Sequence, residues 1–430
     1  MAAVDTIVVG AGGRGLAYGR FANEYPREMR VVGLAEPDPI RRQRFLSEHK
    51  VAQAMIFHDW QSLLASSSQR ATAIINCTMD RMHYASTMKM LDAGYDVLLE
   101  KPMAPVLGEN LGLVQKAEET GRLLQICHVL RYTPFWQALR QVVQSGKLGR
   151  VISVSHRENL AYYHMAHSFV RGNWRSEATS GPMILSKCCH DFDVLLWILQ
   201  QKVAYIQSFG SLIHFRPENA PEGATERCTD GCAVADTCKY EATKRYARDG
   251  EGWPLNAVSY IPTGAARLER LKTDWYGRCV YHCDNDVVDH QSVNMEMEDG
   301  ATVSLVMNGQ SDEECRTMRW DGTKATLYGK FSARGHEIRV HHHMSGQVED
   351  VPVIARDGSG HGGGDYGILR SFLNSLNGAP DESASTARES LESHLLVFAA
   401  EESRLNKTVV DMDEFRARAW IEAGDAEGER

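Results

Sequence analysis

The residues best suited to chemistry begin with Gly10-Ala11-Gly12-Gly13-Arg14-Gly15, placed directly after the β-rich run 6–9. In that setting Gly10 permits a tight turn and Gly12 lets the backbone approach a pyrophosphate. Gly15 lets a helix lie close on a sheet, with free N–H groups and a positive dipole end facing the phosphates. Glu36 ends the next apolar run about 20 residues on, where a ribose hydroxyl pair needs an acceptor. A carboxylate there repels a 2′-phosphate, so the expected cofactor is NAD. Arg41 and Arg42 are the counter-signal; they read as a solvated helix face within reach of a phosphate.

Two further clusters follow. Asn76-Cys77-Thr78 closes one apolar run and His83 opens a helical pattern, while Glu100-Lys101-Pro102 closes the next run. Ligands in parallel sheets lie beyond the carboxyl ends of the strands, so Lys101 is expected at the reactive end of the cofactor, able to bond a substrate hydroxyl or relay its proton. Cys228-x₃-Cys232-x₅-Cys238 and Cys279-x₃-Cys283 put five thiols in one irregular segment. Zinc takes four ligands, and metal binding would explain how a segment poor in core residues folds, so structural zinc is the expectation there.

These groups need a scaffold. Short, nearly continuous apolar runs at 6–9, 29–35, 73–77, 97–99 and 123–127 alternate with helical patterns such as 83–93 and 109–119. That combination predicts an α/β domain over 1–128, its parallel sheet covered on both faces. Beyond about residue 150 the runs 151–155, 293–297, 302–307 and 338–340 alternate in polarity, the last turning back near Ser345-Gly346. They predict an α+β domain over 129–420 with an open, largely antiparallel sheet. A long helix is expected over 383–404, a cysteine-rich insertion over 216–283, and a frayed polar tail over 421–430. The His341-His342-His343 run lies in a strand, where neighbours point to opposite faces, which argues against a three-histidine metal site.

At this point the chain resembles the Gfo/Idh/MocA oxidoreductases, named for glucose-fructose oxidoreductase and inositol dehydrogenase. The resemblance rests on the glycine hexapeptide, the Thr78/His83 pair, Glu100-Lys101-Pro102, Arg131-Tyr132, the Gly146-Lys147-Leu148-Gly149 turn and His190-Asp191-Phe192-Asp193. It covers the chain apart from the cysteine insertion. It implies a Rossmann domain followed by a domain whose open sheet often forms an oligomer interface, hence a homo-oligomer, and a nicotinamide-dependent reaction on a sugar or polyol hydroxyl. The implied cofactor residues are Gly10, Gly12, Gly13, Arg14, Gly15, Glu36, Thr78, His83, Glu100 and Lys101. The implied catalytic residues are Lys101 and His190. One departure stands out. Members usually carry an Asp four residues before the catalytic His, and here that position is Ser186, followed by Lys187. Lys187 is therefore a third catalytic candidate.

Substrate contacts are expected from the ring- and cation-rich stretch 161–175, read as a loop over the site: Tyr163, His164, Arg171, Asn173, Trp174 and Arg175. Asp193, and His361 in Gly360-His361-Gly362-Gly363-Gly364-Asp365, complete that set. The expected reaction is NAD-dependent oxidation of a ring hydroxyl of a pyranose sugar. A second reading keeps NAD bound and cleaves a glycoside by transient oxidation at C3, and a third is a non-catalytic NAD-binding regulator. Composition narrows the field. The 430 residues carry 47 Lys+Arg against 56 Asp+Glu, a formal charge of −9, which gives no general attraction to nucleic acid or an anionic membrane. No apolar run approaches the ~20 residues of a membrane helix, and MAAVDTIVVGAGG lacks the basic start of a secretory signal. A cytoplasmic protein acting on a small carbohydrate is expected.

Overall fold

The computed structural model describes residues 3–66, 71–354 and 358–428. Strands β1 (Val4–Val9), β2 (Met29–Ala35), β3 (Ile56–Phe57), β4 (Ala73–Asn76), β5 (Asp96–Leu99) and β6 (Leu124–Ile126) form a wholly parallel sheet in the order β3-β2-β1-β4-β5-β6. Side chains alternate between its faces, so Ile7, Val9, Ile74, Val97 and Leu99 enter one core while Val8, Ile75 and Leu98 enter another. Both faces are thus apolar, which is why these runs read as continuous rather than alternating. The strand order reverses beside β1, and the carboxyl ends of β1, β4, β5 and β6 deliver Gly10, Thr78, Lys101 and His128 to one edge.

Strands β7 (Val151–Ala161), β8 (Val203–Ser211), β9 (His290–Met297), β10 (Thr302–Ser311), β11 (Cys315–Gly322), β12 (Ala325–Ser332), β13 (Gly335–His342), β14 (Val348–Asp350) and β15 (Val410–Asp411) form a second sheet, ordered β14-β13-β12-β11-β7-β10-β9-β8-β15. Only the β7–β10 pairing is parallel. Helices Met183–Leu199 and Ala387–Asn406 pack together, and the second also packs on β8. The sheet also leaves Tyr205, Phe209 and Tyr328 exposed. Helix Met183–Leu199 buries 14 of its 17 residues and carries the site residues inward.

The two sheets are not separate along the chain. Helix Gly364–Leu376 returns to the first sheet, where Ile368, Leu369 and Phe372 share a core with Val8 and Leu16. Helix Ala387–Asn406 starts later than 383 because Thr386 caps it, its hydroxyl accepting from the Glu389 N–H. Upstream, Ser385 exchanges hydrogen bonds with Ile126 at the edge of β6.

Two expectations are corrected. Stretch 161–175 is not a loop: a helical turn Tyr162–His164 runs into a π-helix Met165–Arg171 whose seven residues are all buried. The tail is not frayed from 421 either, since helix Met412–Gly428 continues through it; residues 429–430 lie outside the described residues. Within the insertion, helices Ala242–Tyr246, Leu255–Val258 and Gly264–Leu271 enclose a small core of Ala242, Tyr246, Val258 and Leu271. Among the described residues no helix is long and apolar enough to cross a membrane.

Candidate active site

The glycine loop meets its steric requirements. Gly10 has φ +89°, and a Cβ there would lie 2.6 Å from the Cys77 carbonyl oxygen. A Cβ on Gly15 would lie 2.0 Å from the Gly10 oxygen, so both positions admit only glycine. Gly12 and Gly13 differ: a Cβ on either would meet nothing within 4 Å. That open space, at the start of helix Gly13–Glu24 with no side-chain cap on its N-terminus, fits a dinucleotide pyrophosphate. Buried Glu36 turns its carboxylate to the Ala11 N–H at 2.6 Å and the Asp38 N–H at 2.8 Å, tying the glycine loop to the end of β2.

Arg14, expected at the cofactor, instead braces the loop. Its guanidinium donates to Glu100 Oε1 at 2.7 Å, to both Asp365 oxygens at 2.8 Å, and to the Tyr18 hydroxyl. Burial alone would raise the Glu100 carboxyl, but Arg14 outweighs it and holds the group below the usual carboxylate range. Thr78 bonds the Asn76 side chain. His83 is fully buried between the Pro102 and Thr78 carbonyls at 2.7 and 3.0 Å, so it spaces the ends of β4 and β5.

Lys101 and His190 meet across the two domains. Lys101 Nζ donates to the Ser186 carbonyl at 2.8 Å, on the same helix as His190 and one turn before it. A neutral carbonyl therefore orients the ammonium at the very residue where an acid is missing. The His190 ring lies 5.8 Å from that of His128 and 6.2 Å from that of His361, and its Nδ1 has no hydrogen-bond partner. Burial, reinforced by Lys101, His128 and His361, pushes its imidazole well below the usual range. The ring is neutral near pH 7 and can accept a proton. His361 has φ +54° and shares a 2.8 Å contact with Asp365, which joins this corner to Arg14.

Lys187 is held in an ion-pair network. Its ammonium lies 3.1 Å from Glu158 and 2.8 Å from Glu314. Burial would lower its pKa, but these carboxylates outweigh it and raise it above the usual lysine range, which favours the charged form. Arg316 extends the network to Asp191 and Glu158, and His156 bonds Asp191.

The substrate set divides. His164 joins this network, its Nδ1 3.0 Å from Glu314, and Tyr163 lies under the Arg245 guanidinium. Trp174 donates from Nε1 to Asp80 at 2.8 Å, and Asn173 is exposed. Three residues turn away. Arg171 is buried against the Arg278 and Tyr240 carbonyls, Arg175 bonds Asp284 and covers Trp275, and Asp193 takes both oxygens to Arg131 at 2.8 and 2.6 Å. Each commits polar groups to structural partners. The sequence reading missed Glu314, which sits between β10 and β11 with no motif to mark it. It also missed His128, which the strand-end rule that found Lys101 would have found at the end of β6.

Cys228, Cys232, Cys238 and Cys279 line one small cavity with Arg171, Tyr240 and Tyr281, while Cys283 Sγ lies 3.2 Å from the Cys279 carbonyl oxygen. All the cysteines are free. Among the described residues no group of three or more His, Cys, Asp or Glu is arranged to hold a metal, so the zinc expectation meets no ready-made site.

The parallel sheet, its open glycine cradle and the acidic end of β2 define an NAD-binding Rossmann domain. Residues 4–128 match the family model described as "Oxidoreductase family, NAD-binding Rossmann fold", and residues 136–248 match the C-terminal domain of the same family. The chain belongs to the Gfo/Idh/MocA oxidoreductase family. Among its relatives is YteT of Bacillus subtilis (strain 168), an oxidoreductase by name, 25% identical over 371 residues and covering 82% of this chain and 83% of that protein. The inositol 2-dehydrogenase of Streptomyces avermitilis is 26% identical over 270 residues, 61% of this chain and 71% of that one. An oxidoreductase structure from Agrobacterium radiobacter in complex with NAD+, L-tartaric acid and magnesium has the same fold, with TM-score 0.68, 14% identity, and coverage of 96% of this chain and 99% of that one.

Proposed function

We propose that this protein oxidises a ring hydroxyl of a pyranose sugar or polyol, with NAD in preference to NADP. The observation that carries the reading is the convergence of Lys101 and His190 beside an open glycine cradle. Inositol 2-dehydrogenase among the relatives supports the substrate class. Gly12, Gly13 and Glu36 would hold the dinucleotide, which when bound supplies the hydride acceptor. The chain's own part is proton handling and orientation. Lys101 donates a hydrogen bond to the hydroxyl oxygen, its direction set by the Ser186 carbonyl. Neutral His190 takes the hydroxyl proton through a ring nitrogen. His361 and His164 flank the substrate. No residue of the site favours glycoside cleavage over net oxidation, and the Lys101–His190 pair speaks against a non-catalytic regulator.

The test is turnover of Lys101→Ala and His190→Ala on a panel of sugars and polyols, with NAD binding measured alongside. Two assignments belong with this reading. Structural zinc would require the cysteine thiols to close on the cavity they line; elemental analysis of protein made without added metal decides it, with about one zinc per chain supporting the site and none, at full activity, leaving plain thiols. Tyr205, Phe209 and Tyr328 on the open sheet support a homo-oligomer, which light scattering in solution checks.

A further inference from the structure

Three arginines crowd the ribose end of the cofactor site. Arg41, Arg42 and Arg44 lie on helix Pro39–Glu48, which starts three residues beyond Glu36. By charge and donor geometry these are the groups that would welcome a 2′-phosphate. The structure accounts for each. Arg42 donates from Nη1 to the Glu36 carbonyl at 2.7 Å, held within its own turn. Arg44 pairs with Glu251 at 3.1 Å and lies 5.3 Å from the centre of the Tyr260 ring. Arg41 lies 5.7 Å from the same ring, and its buried Nε has no hydrogen-bond partner.

Glu251 and Tyr260 come from the insertion, beyond residue 248 where the match to the family's C-terminal domain ends. The same segment carries Trp253, whose ring centre is 4.8 Å from that of His164, so it also touches the helical turn Tyr162–His164. It therefore bridges helix Pro39–Glu48 and the turn Tyr162–His164, and its ring and ion-pair contacts with the first, Glu251 to Arg44 and Tyr260 to both Arg41 and Arg44, all fall on arginines.

We propose that Tyr260 and Glu251 are specificity-positioning residues that enforce the NAD preference by drawing Arg41 and Arg44 away from the ribose. Cation–π and ion-pair contacts occupy the two guanidinium groups, and Glu36 is left as the charge that meets the ribose edge. Released from the ring, Arg41 has a long side chain and an uncommitted donor with which to meet a phosphate. The inference rests on the NAD reading above and deepens it.

The experiment compares NAD and NADP affinities by calorimetry for the full-length protein and for Tyr260→Ala/Glu251→Ala. One gained arginine–phosphate contact should raise NADP affinity relative to NAD by about ten-fold or more. Adding Arg41→Ala and Arg44→Ala should return the ratio to the wild-type value, which a merely structural role for Tyr260 would not produce. Glu251 is exposed, so Glu251→Ala alone should keep the fold and give part of the same shift if the double variant fails to fold. An NAD-selective wild type whose variants fold, bind NAD and keep the wild-type ratio overturns the inference. A wild type that binds both dinucleotides equally overturns the NAD preference itself, and this inference with it.

Discussion

Lys101 and Lys187 show one residue type in two electrostatic settings, and the setting decides the role. Lys187 is clamped between Glu158 and Glu314, whereas the Lys101 ammonium donates to the neutral Ser186 carbonyl. The first is a fixed positive strut and the second is placed to meet a hydroxyl. Removing a positioned proton-transfer group costs about 10²–10⁴-fold in rate. Lys101→Ala and His190→Ala should each lose turnover to that extent while still binding NAD, since neither lines the glycine cradle. Their combined loss should be less than the product of the two, because residues acting as a unit fail together. Lys187→Met should behave differently. It leaves Glu158 buried without that partner, so urea unfolding should show a loss of about 3–5 kcal/mol. The shape of the pH–rate profile should match that of the wild type, since Lys187 does not titrate there.

The four glycines of the first loop make a prediction at the scale of the element. Gly15→Ala drives a methyl into the Gly10 carbonyl, so the first helix cannot seat on the sheet and the protein should lose cooperative unfolding. Gly12→Ala enters open space. Its Tm should stay near wild type while NAD affinity falls, because the methyl fills the cradle rather than the core. Calorimetry and thermal melts on the two variants separate these outcomes. The same scale shows what was legible in the chain. Parallel strands bury both faces, so β1, β2, β4, β5 and β6 appear as apolar runs, and their carboxyl ends place Gly10, Glu36, Thr78 and Lys101. Strands β11 and β12 were missed because only a few inward residues such as Met318, Trp320 and Leu327 stand out among polar neighbours, although Asp321-Gly322 marks the turn between them. Arg171, Arg175 and Asp193 make a different point. Residue type shows what a side chain can bond but not whether a carbonyl or ion-pair partner has already claimed it.

At the scale of the molecule, the two sheets are joined by helices that cross between them, and His394 is one of the pins. It sits on helix Ala387–Asn406, shares its Nδ1 with the Ser390 carbonyl at 2.8 Å and accepts the Met103 N–H on Nε2 at 3.0 Å. That pattern requires the neutral ring, and burial pushes its pKa down to about 3. In the unfolded chain the same ring titrates near 6.5. Between those values the unfolded state binds the extra proton, so this contribution to stability is complete above about pH 6.5 and falls as the pH drops toward 3, by up to about 1.4 kcal/mol per pH unit. Urea unfolding from pH 7 to 5 should show that loss, and His394→Gln, which cannot titrate, should flatten the slope.

The central claim is that Lys101 and His190 serve net hydride removal from a sugar or polyol hydroxyl. The most direct measurement follows NADH and oxidised product together, in wild type and His190→Ala, once the panel has identified a substrate. The wild type should yield equal amounts of NADH and keto product, and His190→Ala almost none of either even though it binds NAD. Sugar released from a glycoside without NADH, or near wild-type turnover by His190→Ala, would contradict it.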